Sequence, residues 1–184
     1  MVAMNTPVCD FGIPAIDFSL PDPKGQIWSL ADCQGPKGTL VMFICNHCPY
    51  VMSILDDLLA TIKKIEDKGV KTVAIMSNDW TAYPADSPDK MLELQQQYNI
   101  TFPYLIDETQ EVAKSYGAVC TPDFFGYNSS LELHYRGRFD ARGRDHSALA
   151  GSNELEYAML EIAKTGKGPK IQNPSIGCSI KWRE

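Results

Sequence analysis

Cys45 and Cys48 stand two residues apart in the run Cys45-Asn46-His47-Cys48. At that spacing two sulfurs can come within bonding range. The chemistry this suits is thiol–disulfide exchange, in which one thiolate attacks a disulfide and the second sulfur releases what was captured. The attacking sulfur has to be ionised near neutral pH. Cysteines at a helix N-terminus reach pKa values of about 3.5 to 7.5, because unpaired N–H groups and the helix dipole favour the anion. Cys45 is expected to open such a helix and attack, with Cys48 one turn deeper as the resolving thiol. His47 supports the pair if its imidazolium lies beside Cys45, where it would also make the disulfide a stronger oxidant. The other reading of His47 is an exposed helix-start residue that barely touches the sulfur.

The elements around the pair can be read from periodicity. Residues 39–44 are a continuous apolar run of strand length, of the kind buried on both faces. After the cysteines, Val51, Ile54, Leu55, Leu58, Leu59, Ile62 and Ile65 recur at three- and four-residue steps and make one helical stripe. Gly69 closes that helix, and residues 71–76 form a second buried-type strand. Strand, helix and strand in this order predict a parallel pair with a right-handed crossover.

Upstream, residues 16–20 and 26–30 flank a Pro/Gly turn and predict a hairpin. Downstream come a helix from Pro88 to Tyr98, a short strand at 102–107, a helix ending at Gly117, an antiparallel hairpin turning at 128–130, and a helix over 153–165 capped by Asn153. The fold class is α/β, a mixed central sheet with helices on both faces, extended by the N-terminal hairpin and a C-terminal tail. Residues 1–184 read as a single domain with a core of about 12–166 and a tail at 167–184.

Composition narrows the function classes. A formal net charge of −6 argues against nucleic acid as a general partner and gives no attraction to anionic membrane. No apolar run approaches the ~20 residues that span a bilayer. The N-terminal residues lack the basic and apolar segments of a secretory signal, so a cytoplasmic protein is expected. Six cysteines are too few for a disulfide scaffold, and only Cys45 and Cys48 form a close pair.

The block from Thr39 to Met52, with Cys45-Asn-His-Cys-Pro-Tyr-Val51 at its centre, resembles the thioredoxin-like proteins of the alkyl hydroperoxide reductase/thiol-specific antioxidant (AhpC/TSA, or redoxin) family. The tail Pro174-Ser-Ile-Gly-Cys-Ser-Ile-Lys-Trp182 is similar to that of thioredoxin-like members with the same block. The resemblance implies a thioredoxin-like fold, a thiol-disulfide oxidoreductase active in cell redox homeostasis, and no bound cofactor. Its partners would be protein or small-molecule thiols and disulfides, with thioredoxin or glutathione as candidate redox partners. It also implies a cis-proline at Thr121-Pro122, whose preceding backbone pairs with a substrate strand. Asn46, Pro49 and Trp80 are the expected substrate contacts. Many thioredoxins carry a buried acid in the strand before the cysteines, and residues 39–44 offer none.

Two other readings stand beside this one. A thiol peroxidase of peroxiredoxin type would carry P-x-x-x-[TS]-x-x-C, but the Pro and Thr/Ser places hold Val41 and Cys45 before Cys48, and Gly38 and Met42 before Cys45. A metal-binding module could use Cys45, His47 and Cys48, with Cys120 approaching, although no second close Cys/His pair completes a structural zinc site. Cys120 is expected to be a buried structural cysteine rather than a third redox thiol, and Cys178 a packing residue with Ile176 and Trp182, or a regulatory thiol if it is exposed. Arg136, Arg138, Arg142 and Arg144, with Asp140 and Asp145, are expected to form a solvated face.

Overall fold

The computed structural model describes residues 2–143 and 152–183. Arg144 and Asp145 lie outside the described residues. The chain opens with β1 (Ala3–Asn5), then the hairpin β2 (Ser19–Pro21) and β3 (Ile27–Ser29), paired antiparallel from Ser19↔Ser29 to Pro21↔Ile27. Ser29 caps α1 (Leu30–Cys33) through a reciprocal box with Asp32. β4 (Gly38–Phe43) is buried at every residue, as its unbroken apolar run requires.

After the cysteines the predicted helix is two helices, α2 (Pro49–Met52) and α3 (Leu55–Glu66). The break falls at Ser53, whose hydroxyl lies within donating reach of Tyr50 O at 2.9 Å and Gly143 O at 2.7 Å and can serve one of them at a time. A serine that competes for a carbonyl of the preceding turn bends the helix there. Downstream, α3 buries Leu55, Leu58, Ile62 and Ile65, each worth about 1.5–3 kcal/mol of apolar burial.

β5 (Val70–Met76) returns parallel to β4, followed by α4 (Pro88–Tyr98), β6 (Tyr104–Ile106) and α5 (Glu111–Tyr116). The chain then makes β7 (Cys120–Thr121), β8 (Asp123–Asn128), β9 (Leu133–Tyr135), α6 (Glu154–Thr165) and β10 (Ile176–Ser179). The main sheet has the order β6-β5-β4-β8-β9, with the first three strands parallel and the last two antiparallel. Alternation along β4 sends Leu40 and Met42 to one face with α3 and α6, and Val41 and Phe43 to the other with the hairpin, α1 and α5. This is the mixed sheet, covered on both faces, that the sequence predicts. Among the described residues no helix is long and apolar enough to cross a membrane.

Two expectations need correction. The C-terminal segment contains β10, which lies between β1 and β7 in a second, three-stranded sheet. Its short run of four residues, with a glycine inside, carries too little period to be read as a strand. The described arginines are also not a solvated face. Arg136 is buried and holds Asp123 at 3.0 Å, Arg142 joins Asp140 and Asp57, and Arg138 joins Glu154.

Candidate active site

Cys45 is the second residue after the end of β4, and Ile44 N–H still bonds Ile75 O at 3.2 Å. The strand therefore delivers the site at its carboxyl end. The helix, however, does not begin at Cys45. Proline fixes its own φ and pushes the residue before it out of the helical region. Cys48 precedes Pro49, is extended at φ −71° and ψ 120°, and stands at the N-cap of α2. The amino end of the helix thus serves Cys48, reversing the expected placement. Pro49 was the signal in the sequence that could have shown this.

Both sulfurs are also buried, Cys45 at 1% exposure and Cys48 at 0%, so the difference in depth expected between them is small. The two side chains lie in the same buried cluster, each in contact with Thr121. Thr121 spans them: its Oγ1 is 3.4 Å from Cys45 Sγ, and its carbonyl accepts from Cys48 Sγ at 3.0 Å. Of the two thiols, Cys48 is drawn below the ordinary range and Cys45 is pushed above it. The neighbouring Cys45 side chain draws the Cys48 thiol down to about 5, against the cost of burial, with further help from Thr121 and the Cys178 and Val51 N–H groups. In the neutral form the donation to Thr121 O opposes this pull. Cys45 is held well above the usual thiol range by the neighbouring Cys48 side chain, by burial and by the charge of Asp86.

Asp86 is the functional residue that sequence reasoning missed. It belongs to a 3₁₀ turn at Pro84–Asp86, far along the chain from the cysteines, and is fully buried. One carboxylate oxygen accepts Asn46 N–H at 2.8 Å, and the other accepts Asn78 Nδ2 at 2.8 Å and lies 2.9 Å from His47 Nδ1. The last contact is off the line of a good hydrogen bond, so proximity and charge define it. Asp86 raises the His47 pKa, by contact first and then by charge, against partial burial. The acid missing from the strand thus comes from another element, and it holds His47 and the Asn46 backbone in place. Asn46 is further fixed by Tyr104 OH at 3.0 Å and by its own donation to Ala85 O at 3.0 Å.

The sulfur of Cys45, a ring nitrogen of His47 and an Asp86 oxygen all lie within 4.8 Å of one another. Both Asp86 oxygens already accept amide donors, however, which leaves a weak ligand for a metal. Cys120 does not complete such a set: it is buried, with Sγ 3.6 Å from Pro122 O. Trp80 is a half-buried cover on the core, and Pro49 acts as the first residue of α2. Thr121-Pro122 is cis, as the resemblance implies.

Residues 11–139 match the sequence profile of the AhpC/TSA family. The chain belongs to the AhpC/TSA family. A crystal structure of an uncharacterized conserved protein from Geobacillus kaustophilus is 39% identical, covers 100% of this chain and 97% of its own, and superposes with a TM-score of 0.93. The thioredoxin domain of a thiol-disulfide oxidoreductase from Bacteroides vulgatus shares the fold at a TM-score of 0.57 and 19% identity, covering 68% of this chain and 86% of its own. Thiol-disulfide oxidoreductase ResA of Bacillus thuringiensis subsp. konkukian is 29% identical over 120 residues, 63% of this chain. The chain spans 62% of the length of that relative.

In this AhpC/TSA chain the backbone of Thr121 is not free to receive a substrate strand, as the resemblance would have it. β10 occupies that edge, with Cys178 opposite Thr121, and packs against α2. Gly177 permits the approach, since a Cβ there would collide with the Thr121 carbonyl. Gly177→Ala is therefore expected to loosen β10. An overpacking cost of about 1–3 kcal/mol would raise the open population roughly 5- to 150-fold. Alkylation of Cys45 and Cys48 by iodoacetamide should accelerate by that factor; an unchanged rate would show that β10 is not the cover.

Proposed function

We propose that the chain is a thiol-disulfide oxidoreductase whose working pair is Cys45 and Cys48. The observation that carries this reading is the pair itself: two buried sulfurs just past the end of β4, both in contact with Thr121, with Cys48 drawn down to about 5. Protein or small-molecule disulfides are the substrate class, and relatives that are thiol-disulfide oxidoreductases of the ResA kind support the same activity. In the resting dithiol Cys48 is the ionised sulfur and Cys45 the proton-bearing partner. Asp86 and His47 are positioning residues that hold the loop between them.

An ionised sulfur in the reduced state stabilises that state and makes the disulfide more oxidising. Titration in dithiothreitol redox buffers should show a single two-electron couple at Cys45–Cys48, above the roughly −270 mV of thioredoxin. Failure of these two cysteines to form a reversible disulfide would sink the proposed activity. A potential below that mark would remove the electrostatic part alone.

A further inference from the structure

The edge of β7 beside the dithiol is filled by the chain's own β10, and that strand carries a cysteine at the position facing Thr121. The same Thr121 touches both Cys45 and Cys48. Cys178 is buried with these two sulfurs in one cluster, and its place opposite Thr121 sets it across from the residue whose carbonyl accepts from Cys48 Sγ.

The strand is held on both sides of Cys178. Ser175 Oγ donates to Pro122 O at 2.8 Å, Lys181 N–H to Asn78 Oδ1 at 2.9 Å, and Ile180 N–H to Val119 O at 3.2 Å. A buried cysteine serving only as a small hydrophobe needs none of this alignment with a second thiol. β-strand addition along an exposed edge is a general way to present an extended segment to a site. Here the segment is built in, and its cysteine takes the place of a substrate cysteine.

We propose that Cys178 is a third redox thiol of the site and exchanges with Cys48. This rests on the reading of Cys45 and Cys48 as the redox pair. When these two are joined, the Cys178 sulfur attacks Cys48 Sγ as its thiol proton passes to the departing Cys45. The Cys45–Cys48 bond breaks, the Cys48–Cys178 bond forms, and Cys45 leaves as a thiol. The number of disulfides is unchanged and no external oxidant or reductant is consumed. Cys48 is then common to two alternative disulfides, one inside the Cys45–Cys48 motif and one tying the tail to it.

The test uses the full chain equilibrated with mixtures of oxidised and reduced dithiothreitol, quenched in acid, alkylated and mapped by mass spectrometry. In Cys45→Ser most molecules should lose two thiols and yield a Cys48–Cys178 cross-linked peptide, absent from the Cys45→Ser/Cys178→Ser double variant. Cys45→Ala provides the same readout should serine disturb folding, and wild-type protein quenched during a brief oxidation should contain both linkages. The proposal is overturned if Cys48 and Cys178 stay reduced in both Cys45 variants where wild type is fully oxidised at Cys45–Cys48. It is overturned equally by a cross-link from Cys178 to any cysteine other than Cys48. Absence of the Cys45–Cys48 bond in wild type would instead defeat the parent reading.

Discussion

Cys48→Ser is expected to abolish turnover of a disulfide substrate, to the rate measured without protein, while the fold survives. Cys48 is the thiol drawn down below the ordinary range, and it lies in one buried cluster with Cys45 on one side and Cys178, opposite Thr121, on the other. A serine hydroxyl preserves the size of the side chain and can still donate to Thr121 O, so circular dichroism and melting temperature should stay near those of wild type. A hydroxyl cannot form the mixed disulfide, and that is where the chemistry stops. Cys45→Ser should be milder in single-turnover capture, because Cys48 keeps its thiol. This ordering is the reverse of the one that Cys45 as attacking sulfur implies.

The pH dependence separates the two assignments further. A Cys48 thiol drawn down to about 5 is almost wholly ionised above pH 6, and its anion is lost as pH falls through 5. In the Gly177→Ala background, alkylation of Cys48 should be nearly flat from pH 6 to 8 and fall below that range. An ordinary thiol would instead rise steeply towards its pKa of about 8.5. Wild-type turnover in Cys48→Ser would dispose of the whole assignment.

Arg136→Ala is expected to cost about 3–5 kcal/mol of stability, the usual penalty for leaving one member of a buried ion pair alone. Asp123 is fully buried, and Arg136 reaches it with Nη2 at 3.0 Å and Nε at 3.4 Å. The same guanidinium donates to Gly117 O at 2.7 Å and lies 4.4 Å over the Phe125 ring. For a chain of this size the melting temperature should fall by about 6–20 °C.

Burial lifts the Asp123 pKa from 3.8 to about 6 even with Arg136 pulling it down. A carboxyl whose folded pKa is raised favours the fold below its unfolded value, and this contribution is lost as pH rises through about 6. Without Arg136 the folded pKa climbs further, so the deficit against wild type should be largest near pH 8 and shrink towards pH 5. Thermal melts of both proteins across that range provide the check. A small deficit that ignores pH would mean the pair is solvated. The consequence reaches the site, because Asp123 also accepts Val119 N–H and so braces the turn that presents Thr121.

Much of the scaffold could be read directly from the order of residues. The apolar run at 39–44 and the stripe from Val51 to Ile65 gave β4 and most of α2 and α3, because burial on both faces or on one stripe imposes its own period. Gly117 and Gly166 ended their helices in the left-handed conformation that glycine adopts without strain. Pro49 is legible too: it pushes Cys48 out of the helix and so sets Cys48, not Cys45, at the N-cap.

The sequence alone picked out the pair that the proposed exchange uses, since no other two cysteines stand so close along the chain and the spacing of Cys45 and Cys48 is local. Tertiary structure decided how that chemistry is controlled. Asp86 reaches His47 from a separate turn, Thr121 spans the two sulfurs from β7, and β10 brings Cys178 to them from the far end of the chain. Local residue preferences set helices and strands over a few positions. Which sulfur keeps the charge depends on desolvation and on donors up to 130 residues away, the separation of Cys178 from Cys48, and these are set only when the sheet closes.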